Sequence, residues 1–205
     1  LAGLISLVIF GGIRRIGQVA ARLVPAMVLL YMLCGFIILM RNITKLDEIL
    51  LLIINDAFTG HAVAGGTLGT VMITGIRRAA FSNEAGIGTE SMAHGAAITR
   101  EPVREGLVAM LGPMIDTLVV CSITGFAILC TGVWSDSSLN GISMTSAAFG
   151  VGLPFMGETM LLLIVSVFSI TTIIGYSYYG SKCTAFLFGN KWKQPYRVVY
   201  TLSLI

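Results

Sequence analysis

Charge is scarce in this sequence. Asp, Glu, Lys and Arg make up 11% of its 205 residues, where soluble globular domains carry roughly 25%. A soluble domain this poor in charge could not cover its surface. Paired cysteines are also missing. Cys34, Cys121, Cys130 and Cys183 form no CxxC pair, and all fall in apolar segments or at their ends. They read as free thiols packed as small apolar residues, not as a transition-metal site. There is no HExxH, no GxSxG and no Cys/His cluster, so nothing points to an enzyme. A formal net charge of +3 is too small to mark a nucleic-acid partner. The opening LAGLISLVIF has no basic n-region and no small-residue cleavage site, so this stretch does not read as a signal peptide. It also has no initiator Met, and the chain stops at YTLSLI within an apolar run. The expectation is one internal piece, 1–205, of the transmembrane domain of a longer protein.

What the sequence has is apolar length. Hydrophobic residues make up 56%, and the mean hydropathy is +0.90. About 20 apolar residues cross a bilayer, and several runs reach that length. The class is therefore all-α integral membrane protein, with the lipid bilayer as its first partner. Residues 1–10 read as the tail of one span and 23–40 as a full span. Residues 103–132 form a span containing Pro113, and 159–181 form another. GGIRRIGQVAAR reads as a basic loop and 133–157 as a long loop rich in Ser and Gly. LLLIINDAF is half a span, an interfacial or re-entrant segment.

Lys and Arg sort these loops by side. Arg14, Arg15, Arg22, Arg100, Arg104, Lys182, Lys191, Lys193 and Arg197 fall in one alternate set, and only Arg41 and Lys45 in the other. By the positive-inside rule, the loops of Arg14, Arg100 and Lys191 are cytoplasmic. That bias holds only if 66–99 crosses the membrane once. A straight helix of that length would be roughly 50 Å long against a core of about 30 Å. The crossing must therefore be broken. The place for the break is FSNEAGIG, residues 81–88. Non-helical backbone at that depth needs protein or a water-filled cavity around it.

Ionisable groups within a membrane are costly and mark function by default. Glu84 is one, read either as a ligand group or as a structural partner of Arg77 or Arg78. Asn83 is a ligand or ion contact, or the cap of the second half-helix; Ser82 has the same capping alternative. Gly86 and Gly88 open backbone conformations closed to other residues. Phe81 lines a pocket or packs. His94 lies one turn after Glu90 on the same helix face, and His61 falls in a Gly-rich outer segment. Asp116 follows Pro113, which frees a carbonyl one turn earlier. It reads as a cation site with Thr117 beside it, or as the ion-pair partner of Arg77 or Arg78. Ser169, Thr172, Tyr176 and Tyr179 share one face of the 159–181 span. Such hydroxyls either join helices or, as at Thr171 and Thr172, offer oxygens to a small hard cation.

GIRRAAFSNEAGIGTESMAHGAA, PMIDTLVVCSITG, FSITTIIGYSYYG and the final FLFG…YR stand in this order. Together with GGIRRI and the VPAM segment they resemble the sodium:alanine symporter family, the alanine or glycine:cation symporters. The resemblance runs through essentially the whole chain. It implies a leucine-transporter-type fold of two inverted five-helix repeats, with substrate held at mid-membrane between two discontinuous helices. The chain would run from the end of the fourth span to the start of the ninth, with 66–99 as the broken sixth. The other broken helix, with its GGPG and FWMW-type signature, is absent from it. By the same resemblance Phe81, Ser82, Asn83 and Gly86 are substrate-pocket positions, and Tyr176 stands where the family often has Trp. Thr171 and Thr172 match a sodium-holding hydroxyl pair, and Asp116 and Thr117 a second ion position. Glu84, Arg77, Arg78 and Gly88 hold or gate the break. The implied activity is sodium-coupled symport of alanine or glycine by alternating access, in a plasma (inner) membrane, with Na+ as coupling ion and no other cofactor. Three alternatives stand beside it: proton coupling on the same scaffold through Glu84, Asp116 or His94; an ion channel, for which no repeated filter sequence is present; and a non-transporting structural or sensor subunit.

Overall fold

A computed structural model describes residues 2–58, 73, 75–78, 80–81 and 83–204. Every regular element among the described residues is helical. α1 is Ala2–Phe10, α2 Gly12–Arg41 and α3 Leu46–Phe58. Two short helices follow, α4 at Glu84–Ile87 and α5 at Glu90–His94. Then come α6 at Pro102–Ile115, α7 at Cys121–Thr131, α8 at Ile142–Gly152, α9 at Gly157–Phe188 and α10 at Lys193–Leu202.

Three helical stretches are long and apolar enough to cross a membrane: Gly12–Arg41, Pro102–Thr131 and Gly157–Phe188. Their apolar windows are only 11–17% buried. Apolar surface that long and that bare is stable only against lipid or further protein. All three outrun the 23–40, 103–132 or 159–181 runs at one end or the other. GGIRRIGQVAAR is not a loop: α2 starts at Gly12 and takes in Arg14, Arg15 and Arg22. Long basic side chains can lie along a helix while their charges reach water. Pro25 is therefore interior to the helix rather than near its start.

The chain divides into two compact units, residues 1–31 with 160–205, and residues 32–159. In the first, α1 packs on α10. Its core holds Ile5, Ile9 and Ile16 from α1 and α2, and Leu161, Ile164, Ile174, Tyr178 and Tyr179 from α9. The Tyr200 hydroxyl of α10 donates to the Ile173 carbonyl at 2.8 Å. Lys182 lies 5.5 Å from the Tyr178 ring centroid.

In the second unit α7 packs on α8 and on α3, and α5 packs on α4 and α6. The 133–157 segment is thus not all loop. Ala148 and Phe149 of α8 are fully buried, with Ala127 and Cys130 of α7 and Cys34, Ile38 and Ile49 of α2 and α3. Two cations close helix ends here. The Arg41 guanidinium donates to the Gly152 carbonyl at 3.1 Å, and the Lys45 ammonium lies 3.5 Å from the Cys130 carbonyl. Both carbonyls belong to last turns, where unpaired oxygens and the helix dipole favour positive charge.

Candidate functional site: an interrupted helix beside a π-turn

The chain is helical at 75–78 and at 80, turns at Phe81, and is extended at Asn83 (φ −145, ψ 167). Asn83 is the N-cap of α4. Its Oδ1 accepts the Gly86 N–H at 3.0 Å, which satisfies a donor that a helix start otherwise leaves free. α4 lasts one turn. Gly88 ends it in the left-handed region at φ 86, and its N–H donates to the Glu84 carbonyl at 2.8 Å. A side chain there would strain the backbone. At Gly86 the constraint is contact instead, because the Ala80 carbonyl occupies the place of a Cβ. The helical path is interrupted at Phe81 and Asn83, and again at 88–89.

Across from this break lies an irregularity that the sequence hides. Between α6 and α7 the chain makes a π-turn, Asp116–Val120, in which the Cys121 N–H reaches back five residues to the Asp116 carbonyl. π-turns inside α-helices are rare and concentrate at functional sites. The Asn83 Nδ2 donates to the Thr117 hydroxyl at 3.2 Å. One side chain therefore caps the broken helix and ties it to the π-turn. Asn83, Gly86, Asp116 and Thr117 are brought together.

Other expected groups fall elsewhere. Phe81 is 75% exposed. Arg77 and Arg78 are exposed, and neither forms an ion pair with Asp116 among the described residues. Asp116 is half-buried with no cation paired to it among those residues. Ser82 and His61 lie outside the described residues. Thr89 is an oxygen that sequence reasoning missed. Its Oγ1 is buried at the second joint and makes no hydrogen bond with the described residues. Its only sequence signal is the Gly88 before it.

In the other unit, α9 carries the hydroxyl-rich stretch. Ser169 and Thr171 donate back to carbonyls of their own helix, at 2.8 Å to Val165 and 2.9 Å to Phe168. This is the ordinary use of such hydroxyls. Thr172 makes no hydrogen bond with the described residues. The Thr171 oxygen keeps its lone pairs, so the pair can still present two oxygens. Tyr176 stands edge-on to Tyr179 with ring centroids 5.8 Å apart. Among the described residues no group of three His, Cys, Asp or Glu side chains is placed to hold a metal ion.

The profile of the sodium:alanine symporter family matches residues 1–205. This chain belongs to the sodium:alanine symporter family. That family is one of transporters, not enzymes. Among its relatives, an uncharacterized transporter of Haemophilus influenzae is 39% identical over 97% of this chain and 45% of its own length. The sodium/alanine symporter AgcS of Methanococcus maripaludis is 38% identical over 95% of this chain and 44% of its own. The probable sodium/glutamine symporter GlnT of Bacillus subtilis is 36% identical over 90% of this chain and 38% of its own. The chain spans less than half the length of each. The interrupted helix and the π-turn beside it thus lie in a membrane transporter family with amino-acid symporters among its members.

Proposed function

We propose that the whole protein is a sodium-coupled symporter of a small neutral amino acid, alanine or glycine, working by alternating access in the plasma (inner) membrane. The carrying observation is Asn83, bonded at once to the Gly86 N–H and to Thr117. A discontinuous helix bridged to a π-turn leaves amides and carbonyls near a ligand that an unbroken helix would consume. In this reading Phe81, Ser82, Asn83 and Gly86 contact substrate, with the carboxylate facing half-helix amides; Tyr176, in the other unit, is a substrate position on the family resemblance alone. Thr171 and Thr172 hold one sodium ion, which prefers oxygen ligands, and Asp116 with Thr117 serves a second ion position. Glu84, Arg77, Arg78 and Gly88 hold or gate the break. The chain is then the fourth-to-ninth-span part of a leucine-transporter-type fold, with the Arg14 end of α2 and the segments of Arg100 and Lys191 on the cytoplasmic side.

Asp116 supports a second reading on the same scaffold. A half-buried carboxylate with no cation paired to it among the described residues could carry a proton as readily as it could hold sodium. Uptake of labelled alanine into proteoliposomes holding the whole protein tests both. Accumulation should follow an inward sodium gradient and stop when it is collapsed. Accumulation indifferent to sodium and driven by a pH gradient would replace the first reading with the second. Glutamine, named for one relative, belongs in the same competition series.

A further inference from the structure

His94 ends α5, and both of its ring nitrogens face carboxylates. Nδ1 lies 2.7 Å from the Glu105 Oε1 of α6, and Nε2 lies 3.7 Å from the Glu90 Oε1 one turn earlier on α5. All three side chains are partly buried, at 20–32% exposure. Glu90 also leans on α6, with its Oε1 3.7 Å from where a Cβ on Gly112 would stand. The three groups share a cavity of about 700 Å³ whose other polar walls are Ser91 and Thr99. Among the described residues no Lys or Arg lines it.

The titratable group facing His94 from α6 is Glu105, and from its own helix Glu90. α4, which also packs on α5, carries Glu84. The connection into α6 carries Arg100 and Glu101, and α6 itself Arg104. None of these four lines the cavity.

Hydrogen-bond supply decides what this cluster does. A neutral imidazole has one N–H and one bare lone pair. It can donate to Glu105 or to Glu90, and its other nitrogen then meets a carboxylate with nothing to share. The longer 3.7 Å contact is the one left unserved. A protonated ring donates from both nitrogens and removes one negative charge from a cluster otherwise carrying two. Histidine is the side chain whose ordinary charge change falls between about pH 5 and 8.

We propose that His94, Glu90 and Glu105 form a proton-binding site that fastens the second half of the broken crossing, α5, to the following span, α6. Protonation draws Glu90 onto Nε2 and stiffens the joint, so acid on the side to which the cavity opens slows any movement of α5 against α6. The proton acts as a brake and is not carried with the substrate. The site itself stands on the contacts above. Only its effect on flux rests on the transport reading, so the test has one readout for each.

The first readout is amide hydrogen exchange of the 90–105 stretch in the whole protein, corrected for the intrinsic pH dependence of exchange. Between pH 8 and pH 6 protection should rise about two- to fivefold, the change a part-exposed ion pair gives. His94→Gln, which keeps an N–H donor and cannot take the proton, should show no rise. Glu90→Gln should show a smaller one. A rise of the same size in His94→Gln, or none in the parent protein, overturns the site. The second readout is sodium-driven alanine uptake with the pH varied on each side of the vesicle in turn. Uptake should fall by a similar factor on acidification of one side only, and His94→Gln should be flat. An unchanged profile in His94→Gln overturns the brake. Protein that exchanges as expected but takes up no alanine overturns the transport reading and leaves the proton site supported.

Discussion

Asn83 and Thr117 stand 34 residues apart in the chain and are joined by one hydrogen bond of 3.2 Å. The donor is the same side chain whose Oδ1 caps α4 at 3.0 Å. Loss of the Asn83 side chain removes both bonds, whereas loss of the Thr117 hydroxyl removes only the bridge.

Asn83→Ala removes cap and bridge together. Loss of an N-cap alone costs about 1 kcal/mol. Sodium-driven alanine uptake should be abolished while the protein still inserts. Asn83→Asp keeps the capping oxygen and loses the donor, so it should resemble Thr117→Val, with reduced rather than absent uptake. Near-normal uptake in Asn83→Ala would remove this residue from the site.

Thr172→Ala should raise the sodium concentration needed for half-maximal uptake, and Thr172→Ser, which keeps the oxygen, should restore it. Thr172 is the better probe of the pair because Thr171 is already engaged with its own helix at 2.9 Å. A sodium dependence identical in all three proteins would contradict the role.

Gly86→Ala and Gly88→Ala separate two reasons for glycine. At 88 the cost is the left-handed backbone, about 1–2 kcal/mol. At 86 it is collision with the Ala80 backbone, which cannot yield as a side chain would. Thermal unfolding in detergent should show both variants lowered. A Gly86→Ala protein as stable as the parent would mean that α4 does not fold back on Ala80.

In the other unit, a Cβ at Gly180 would strike the Tyr196 hydroxyl. Gly180→Ala should cost about 1–3 kcal/mol as an overpacking substitution. Tyr196→Phe in the same protein should recover part of that loss, a non-additivity that contact between the two sites requires. Strict additivity of the two unfolding shifts would break the link.

The sequence made much of this legible, for identifiable reasons. Bare apolar length exposes the three spans, because a bilayer core has a fixed thickness. Asn83, Gly86 and Gly88 expose the break, because caps and left-handed turns demand particular residues. The extension of α2 to Gly12 was hidden, since Arg14 and Arg15 suit a loop and a snorkelling helix end equally. α8 was hidden because its small residues, Ala147 and Ala148, declare themselves only when packed on α7. The π-turn has no residue signature at all; Pro113, three positions earlier, was the nearest sign. The Asn83–Thr117 bond joins places that local pattern cannot relate.

The π-turn also fixes an azimuth. One residue advances an α-helix by about 100°, so an inserted residue rotates all that follows by that much. The lining of α6 therefore does not continue along α7. Deleting one residue within 116–120 would bring the two back into phase and swing Ala127 and Cys130, at 0% and 2% exposure, out of their packing against neighbouring helices. Along this span the number of residues is a stricter constraint than their identity.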